Sequence, residues 1–566
     1  MIKKIYNYYL TEKKLLICFL LSSLLVTSLD LYGPLVVKKI IDNSIPQKNI
    51  KEFITFSLIL LFIYIFRFFT SLFSTSRGQL MGNKIKFLMR EDLMKKILHQ
   101  PDSFFMKRQS GDLISRITND LENVSLLLYR GLEDFLFSIL SITGALILMI
   151  NFNLKLTFFI MLPLPIAAIF MISQNKKLKK SYADIRIKIS ILTSAVHNTL
   201  KTIFFLKDNG LETEQFKKLS KDNNNLLKIE KRNVFNTASL MSGVNLYNQL
   251  TQLIVIFAGG YMHIKGQISF GIIVSFLLLT NRFRIYLLRL MGLVDVFQRG
   301  ASGITRFFEI INIQDIQDGT IILNSPIENI KVRNLNFAFG NKLVLNDISF
   351  EIKKGEKVAI VGKSGVGKTT MFSILKRSFN SPEGTILING KSIGNLKRKS
   401  FLDKISIVNQ SDSIINDTIL ENIRIVKKDA KKAEIDEAID KAELREMIEE
   451  LDKKENTLLG QEGIELSSGQ KQRIAMARVF LKNPDVVFLD EGTSALDNIL
   501  EKKIMDNIIN DFDDKIIVSI AHRLNTLKNF DKIIVLEKTG IAQLGTFEEL
   551  MKDKNGSFYK SYNCNL

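Results

Sequence analysis

At 566 residues the chain is longer than one hydrophobic core organises, so two or more domains are expected. Hydrophobic residues supply 46% of it, with 40 Phe, and they crowd into the amino-terminal half, which excludes a soluble enzyme throughout. The formal charge of +20 raises nucleic acid as a partner, but Lys and Arg fall beside apolar runs and no aromatic-basic platform is present; a positive-inside membrane protein with no nucleic-acid partner accounts for them better.

The two cysteines, Cys18 and Cys564, form neither a disulfide framework nor a Cys/His metal spacing. The first apolar run is long enough to span and lacks a small-residue cleavage site, so it is expected to stay in the mature protein.

A helix needs about 20 apolar residues to cross the hydrocarbon layer. Six stretches qualify in chain order: 15–37, 53–77, 129–151, 155–174, 238–262 and 268–290. The connections after the first, third and fifth are short, whereas 78–128 and 175–237 are long, helical in pattern and rich in Lys and Arg. Lys176, Lys177, Lys179 and Lys180 follow the fourth span directly, and Lys3, Lys4, Lys13 and Lys14 precede the first. Basic flanks mark the cytoplasmic side, which puts the N-terminus, both long loops and everything after the sixth span inside the cell. The loops read as the spanning helices continuing beyond the bilayer, with turns near 101–111 and 209–215 as tips placed to touch a cytoplasmic motor.

Charges inside spans are costly and face an interior. Arg67 lies mid-span in the second helix, and Arg282 and Arg284 lie well along the sixth. Two readings are open: a cavity that meets negative groups on a cargo, or, as the preferred reading, a tilted sixth helix whose arginines snorkel to the interface.

From about Ile327 the composition becomes that of an α/β domain. β-Branched runs at Val358–Val361, Ile405–Val408, Val486–Leu489, Ile516–Ile520 and Ile533–Leu536 alternate with charged helical stretches, the pattern of a largely parallel sheet. The expected organisation is therefore a six-span α-helical transmembrane domain (1–310), a linker (311–326) and an α/β P-loop nucleotide-binding domain (327–566).

The strongest motif is Gly362-Lys363-Ser364-Gly365-Val366-Gly367-Lys368-Thr369, directly after the Val358–Val361 run and opening a helix that continues through Thr370. Its glycines let backbone N–H groups close around phosphates, and the helix N-terminus adds positive potential. Lys368 is expected on the β- and γ-phosphates of ATP and the Thr369 hydroxyl on Mg2+. Val486–Leu489 then ends in Asp490 and Glu491: a carboxylate for Mg2+ and a general base for the attacking water.

Between these elements stands Leu466-Ser467-Ser468-Gly469-Gln470, followed by Lys-Gln-Arg-Ile-Ala-Met-Ala-Arg478. Here the sequence resembles the ATP-binding cassette (ABC) transporters over essentially its whole length. The resemblance implies that Ser467, Ser468, Gly469 and Gln470, at a helix N-terminus, bind the γ-phosphate held by an opposite subunit. Two nucleotides would then lie between two cassettes. It likewise implies Gln410 as the Q-loop glutamine at the Mg2+ and reacting phosphate, Ser494 through Asp497 as the D-loop, His522 as the switch histidine and Phe339 as the adenine-stacking aromatic. Phe337 lies nearby. Phe104-Phe105, Gly111-Asp112 and Ser115-Arg116 through Asp120 resemble the first cytoplasmic loop of the fused exporters, and Thr305-Arg306 and Glu309 their exit from the sixth helix. Three departures stand out: Ser468 where Gly is usual, Gly492 where Ala or Pro is common, and Gln461 where exporters often carry Glu.

What the resemblance implies is ATP-driven export by a dimer of half-transporters, with Glu491, His522 and Gln410 as the catalytic set. A homodimer is favoured over a heterodimer. Membrane lipid is a partner, and the cargo is a drug, lipid or peptide. The chain shows no cysteine-protease domain of the kind that trims leader peptides, which disfavours processed peptides. The rival readings are an importer on the exporter fold, an ATP-gated channel or regulator, and a soluble DNA-repair cassette, the last opposed by the six spans. The Lys/Ile/Asn-rich composition suggests a bacterial cell membrane.

Overall fold

The computed structural model describes all residues except 1, 107, 109, 315–317, 340–341, 364, 380–382, 410–413, 461–462, 491–497, 521–523 and 564–566. It forms two compact units: Met1–Leu98 with Ser110–Ile313, and His99–Gln109 with Gln314–Leu566. The first tip, which holds Phe104 and Phe105, thus belongs to the cassette's unit rather than to the helical one.

Six long helices build the first unit: α1 (Lys13–Lys39), α2 (Ile50–Leu98), α3 (Leu132–Phe152), α4 (Leu164–Lys201), α5 (Glu212–Ile264) and α6 (Phe270–Ile311). Among the described residues, five helical stretches are apolar and long enough to cross a membrane: Lys13–Ser44, Ile50–Leu98, Ser110–Phe152, Leu154–Lys201 and Phe270–Ile311. The fifth expected span falls within α5, a continuous helix of 53 residues. Asn245, Asn248, Gln249, Thr251 and Gln252 make that stretch more polar than its neighbours.

At 1.5 Å per residue, α2 with its 49 residues is about 73 Å long, more than twice the hydrocarbon thickness. The spanning helices therefore do continue far beyond the bilayer. At the second tip the chain turns through Gly210, whose φ of +63° is left-handed, between the short helix Ile203–Asp208 and α5. α1 packs on α2 and α4 on α5, while α6 lies against α1, α3 and α5. Phe62, Phe66, Phe68 and Phe69 of α2 stay exposed, the outward apolar face that hydrocarbon covers.

The loop and sixth-helix residues singled out above meet in one charge network. Arg116, buried, donates to Asp112 (2.9 Å), to Glu309 (2.9 Å) and to the Arg306 carbonyl (2.8 Å). Arg306 in turn pairs with Asp112 and with Asp120 (2.9 Å). Two cations and three acids, about 190 residues apart in sequence, tie the segment 112–120 to the end of α6.

The second unit carries two sheets. An antiparallel one, ordered β2-β1-β4-β5, consists of β1 (Asn329–Phe339), β2 (Lys342–Lys353), β4 (Glu383–Ile388) and β5 (Lys391–Ser392). The larger sheet is ordered β10-β9-β3-β8-β7-β6. Its members are β3 (Lys357–Gly362), β6 (Ile405–Val408), β7 (Val486–Asp490), β8 (Ile516–Ile520), β9 (Lys532–Glu537) and β10 (Gly540–Gly545). All pairs in it are parallel except β9 with β10. Its central strands read as unbroken apolar runs because helices cover both faces: β8 is buried at every residue and β3 and β7 at four each.

Candidate functional site

In a parallel sheet with crossed connections, ligands gather at the carboxyl ends of the strands. β3 enters the P-loop there, and α7 (Lys368–Leu375) leaves it. Two glycines make the turn. Gly362 has φ +154°, and a Cβ on it would lie 2.5 Å from the Leu536 carbonyl; Gly367 has φ +107° and would meet Leu345 at 3.0 Å. Any other residue at either position strains the loop. Lys368 is 5% exposed, and its ammonium is held by the carbonyls of Gly362 (2.7 Å) and Lys363 (3.1 Å). A cation is thus fixed against the loop backbone, and Thr369 is exposed beside it. Thr370 follows in the same first turn, half-buried, as Val366 closes the loop's floor.

Strand register puts the second motif at the same edge. Ile360 of β3 is level with Ile520 of β8, and Ile520 with Asp490 of β7. Asp490 therefore stands two strand spacings, about 10 Å, from the strand that enters the P-loop. The donor set suits Mg2+-ATP: a hydroxyl at the helix start, a carboxylate at the strand end and a buried ammonium held by the loop carbonyls. Glu491, His522, Gln410, Ser364 and Asp497, with Gln461, lie outside the described residues.

The Leu466–Gln470 motif begins α8 (Ser468–Lys482). Ser467 is its N-cap: the Ser467 hydroxyl accepts from the Gln470 amide at 3.2 Å, and the Gln470 side chain accepts from the Ser467 amide at 2.8 Å. This reciprocal capping occupies one acceptor site of the hydroxyl and leaves its proton to donate outward. Ser467 and Ser468 are exposed and Gly469 half-buried, so the helix start faces away from its own core. Ser468 makes room as Gly does, its small side chain pointing into solvent.

Phe339 is 39% exposed and packs edge-on against Phe337 (5.0 Å between ring centres) and Phe379 (5.6 Å). Phe337 and Phe379 pack against each other at 5.1 Å. Phe339 is the ring of this trio left open to a flat ligand, with the other two supporting it. Phe379 was not singled out from sequence, and only its place four residues after α7 could have signalled it.

In the membrane unit the arginine readings need correction. Arg282, read as snorkelling with the sixth helix, instead pairs with Asp30 of α1, whose side chain is 2% exposed, and Arg67 of α2 pairs with the same carboxylate. Arg67 donates through Nε and, at 3.2 Å, through a terminal nitrogen. Arg282 approaches at 2.9 Å, and the Tyr286 hydroxyl donates at 3.1 Å. The buried carboxylate gives both guanidiniums a counter-charge at depth. Arg284 instead donates to Asn245 of α5 at 3.2 Å. Asp30 was missed because a single acid in an apolar run has no motif around it.

Among known proteins, the family pattern described as the ABC transporter transmembrane region matches residues 16–286, and that described as ABC transporter matches 345–494. The uncharacterised ABC transporter ATP-binding protein YwjA of Bacillus subtilis is 30% identical over 98% of this chain and 97% of its own length. The ATP-dependent lipid A-core flippase of Syntrophus aciditrophicus is 30% identical over 96% of this chain and 90% of its own. A multidrug resistance-like ATP-binding protein, MdlA, of Buchnera aphidicola is 31% identical over 99% and 98%. A solved bacterial Atm1-family ABC exporter with ATP bound superposes with a TM-score of 0.82, at 23% identity and 98% coverage of both chains. Helical membrane unit and P-loop cassette in one chain define a nucleotide-driven membrane transporter. The chain belongs to the ABC transporter family, and its fold is that of the exporters.

Proposed function

We propose that two copies of this chain form an ATP-hydrolysing exporter in a bacterial cell membrane, with the cassettes in the cytoplasm. The observation that carries the reading is the pairing of two incomplete half-sites: a P-loop edge with Lys368, Thr369 and Asp490, and a separate, outward-facing helix start at Ser467–Gly469. Phe339 holds the adenine by stacking and Lys368 neutralises the phosphates. Mg2+, between Thr369, Asp490 and Gln410, would screen charge on the transferring phosphoryl group. Glu491 draws the proton from the attacking water, and His522 and Gln410 hold the γ-phosphate. Ser467 and Gly469 of the second copy complete the site from across the dimer.

ATP favours the closed pair because only that state presents both half-sites, and differential affinity of this kind drives the switch. The lipid A-core flippase and the multidrug resistance-like relatives support export of amphipathic cargo over import.

The test is ATPase activity of the purified chain alone in lipid, wild type beside Glu491→Gln. Activity that disappears in the variant is expected. An inactive wild type overturns the homodimer, and an active Glu491→Gln overturns the assignment of the base.

A further inference from the structure

The far end of α7, away from the P-loop, is held in place from two sides. Arg377, just past the helix, has a left-handed backbone (φ +59°) and is buried, and its guanidinium donates to the carbonyls of Leu396 and, at 3.2 Å, of Gly394. Lys376, one residue earlier, is 9% exposed. Its ammonium lies 5.2 Å from the centre of the Phe372 ring, which packs edge-on against Phe488 of β7 at 5.1 Å. The same ammonium donates to the Asn409 side-chain oxygen at 3.2 Å. Asn409 is exposed and is the first residue after β6. Val408 is level with Leu489, so the chain leaves β6 beside Asp490, and Gln410 comes next.

A lysine at a helix C-terminus is favoured by the carbonyls there. That role needs neither burial nor a partner 33 residues away, and burying an ammonium is costly unless a defined contact holds it. We propose that Lys376 is a positioning residue for Gln410: through Asn409 it ties the chain entering the Q-loop to the helix that leaves the P-loop. Lys376 touches neither nucleotide nor metal. A charge-assisted hydrogen bond to an otherwise exposed asparagine fixes the backbone one residue before Gln410, and the clasp at Arg377 keeps the post itself from moving. The helix that cradles the phosphates at one end thereby sets the reach of Gln410 from the other. What the tie supports is the Mg2+-dependent share of nucleotide binding, while the P-loop and the Phe339 ring act without it. This rests on the reading of Gln410 given above.

Equilibrium binding of the non-hydrolysable analogue AMP-PNP to the full chain in phosphatidylcholine nanodiscs, titrated with Mg2+, reads the tie without turnover. Lys376→Met keeps the length of the side chain and removes the ammonium. It is expected to raise the Mg2+ concentration that half-saturates binding about fivefold and to leave affinity in EDTA unchanged. Should Lys376→Met fail to assemble, Asn409→Leu breaks the same hydrogen bond at an exposed residue and is expected to shift the Mg2+ dependence as far. The double variant should be no weaker than either single one, as one shared contact requires. A lowered thermal midpoint with unchanged Mg2+ dependence would make Lys376 a helix cap and overturn the proposal, and so would additive effects in the double variant. Gln410→Ala, measured alongside, separates the two readings. Unchanged Mg2+ dependence in Gln410→Ala would overturn the reading of Gln410 and the proposal with it. A shift in Gln410→Ala with none in Lys376→Met or Asn409→Leu would overturn the tie alone.

Discussion

The cassette edge and the membrane cluster both gather charge, but by opposite means. At the cassette edge the chemistry is local: Lys368 is held by loop carbonyls five and six residues away, and Ser467 by an amide three residues away. In the membrane unit, residues 30, 67 and 282 come from three helices, and the Arg116–Arg306 network joins residues nearly 200 apart. The lesson is that a backbone-built site tolerates few residue types and keeps its spacing. A side-chain-built site needs only complementary charges at one depth.

Substitutions in the two regions should have different consequences. Lys368→Ala removes the buried ammonium from the loop and is expected to lower ATPase activity at least a hundredfold with the chain still folded, checked by turnover and by elution at the wild-type volume. Arg116→Ala should instead act on assembly. It strands Glu309 and leaves Asp112 with Arg306 alone, and should cost about 2 kcal/mol, read as a lowered thermal midpoint in detergent, while nucleotide affinity of the cassette stays the same. Nucleotide affinity falling as far as stability would mean that the two regions are not separable in this way.

Ser467→Ala divides the two roles of one residue. Loss of the cap costs about 1 kcal/mol of stability. Loss of the outward hydroxyl should lower ATPase activity about tenfold. A stability change alone would reduce Ser467 to a cap. The smallest effect is expected at the aromatic trio: Phe339→Ala should raise the KM for ATP about threefold to fivefold through lost stacking. Phe337→Ala should mainly lower stability. The reverse pattern would make Phe337 the stacking ring.

The two halves differed correspondingly in how much could be read from sequence. The P-loop, the strand ending in Asp490 and the cap at Ser467 were legible because each is a short fixed string on a predictable element. Most of the spans were legible because the hydrocarbon layer sets their length. The α5 span was harder to define by composition, since its polar residues face neighbouring helices: Asn248 and Thr251 are buried. Asp30 was invisible because its meaning depends on Arg67 and Arg282 across helix packing that no local pattern encodes. The preferred snorkelling reading failed for that reason. Phe379 was hidden likewise, since its contact with Phe337 joins a strand to a loop 42 positions on.

The central claim is that each ATP site is built from two copies of this chain, and mixed dimers test it most directly. In a Glu491→Gln background, Lys368→Ala spoils the P-loop and Gly469→Asp spoils the helix start that faces it. Each variant alone should retain no ATP after rapid gel filtration, while a co-expressed mixture should retain one nucleotide in each mixed dimer, where one complete site is restored. Retention by Gly469→Asp alone, or none in the mixture, would contradict a site shared between two copies.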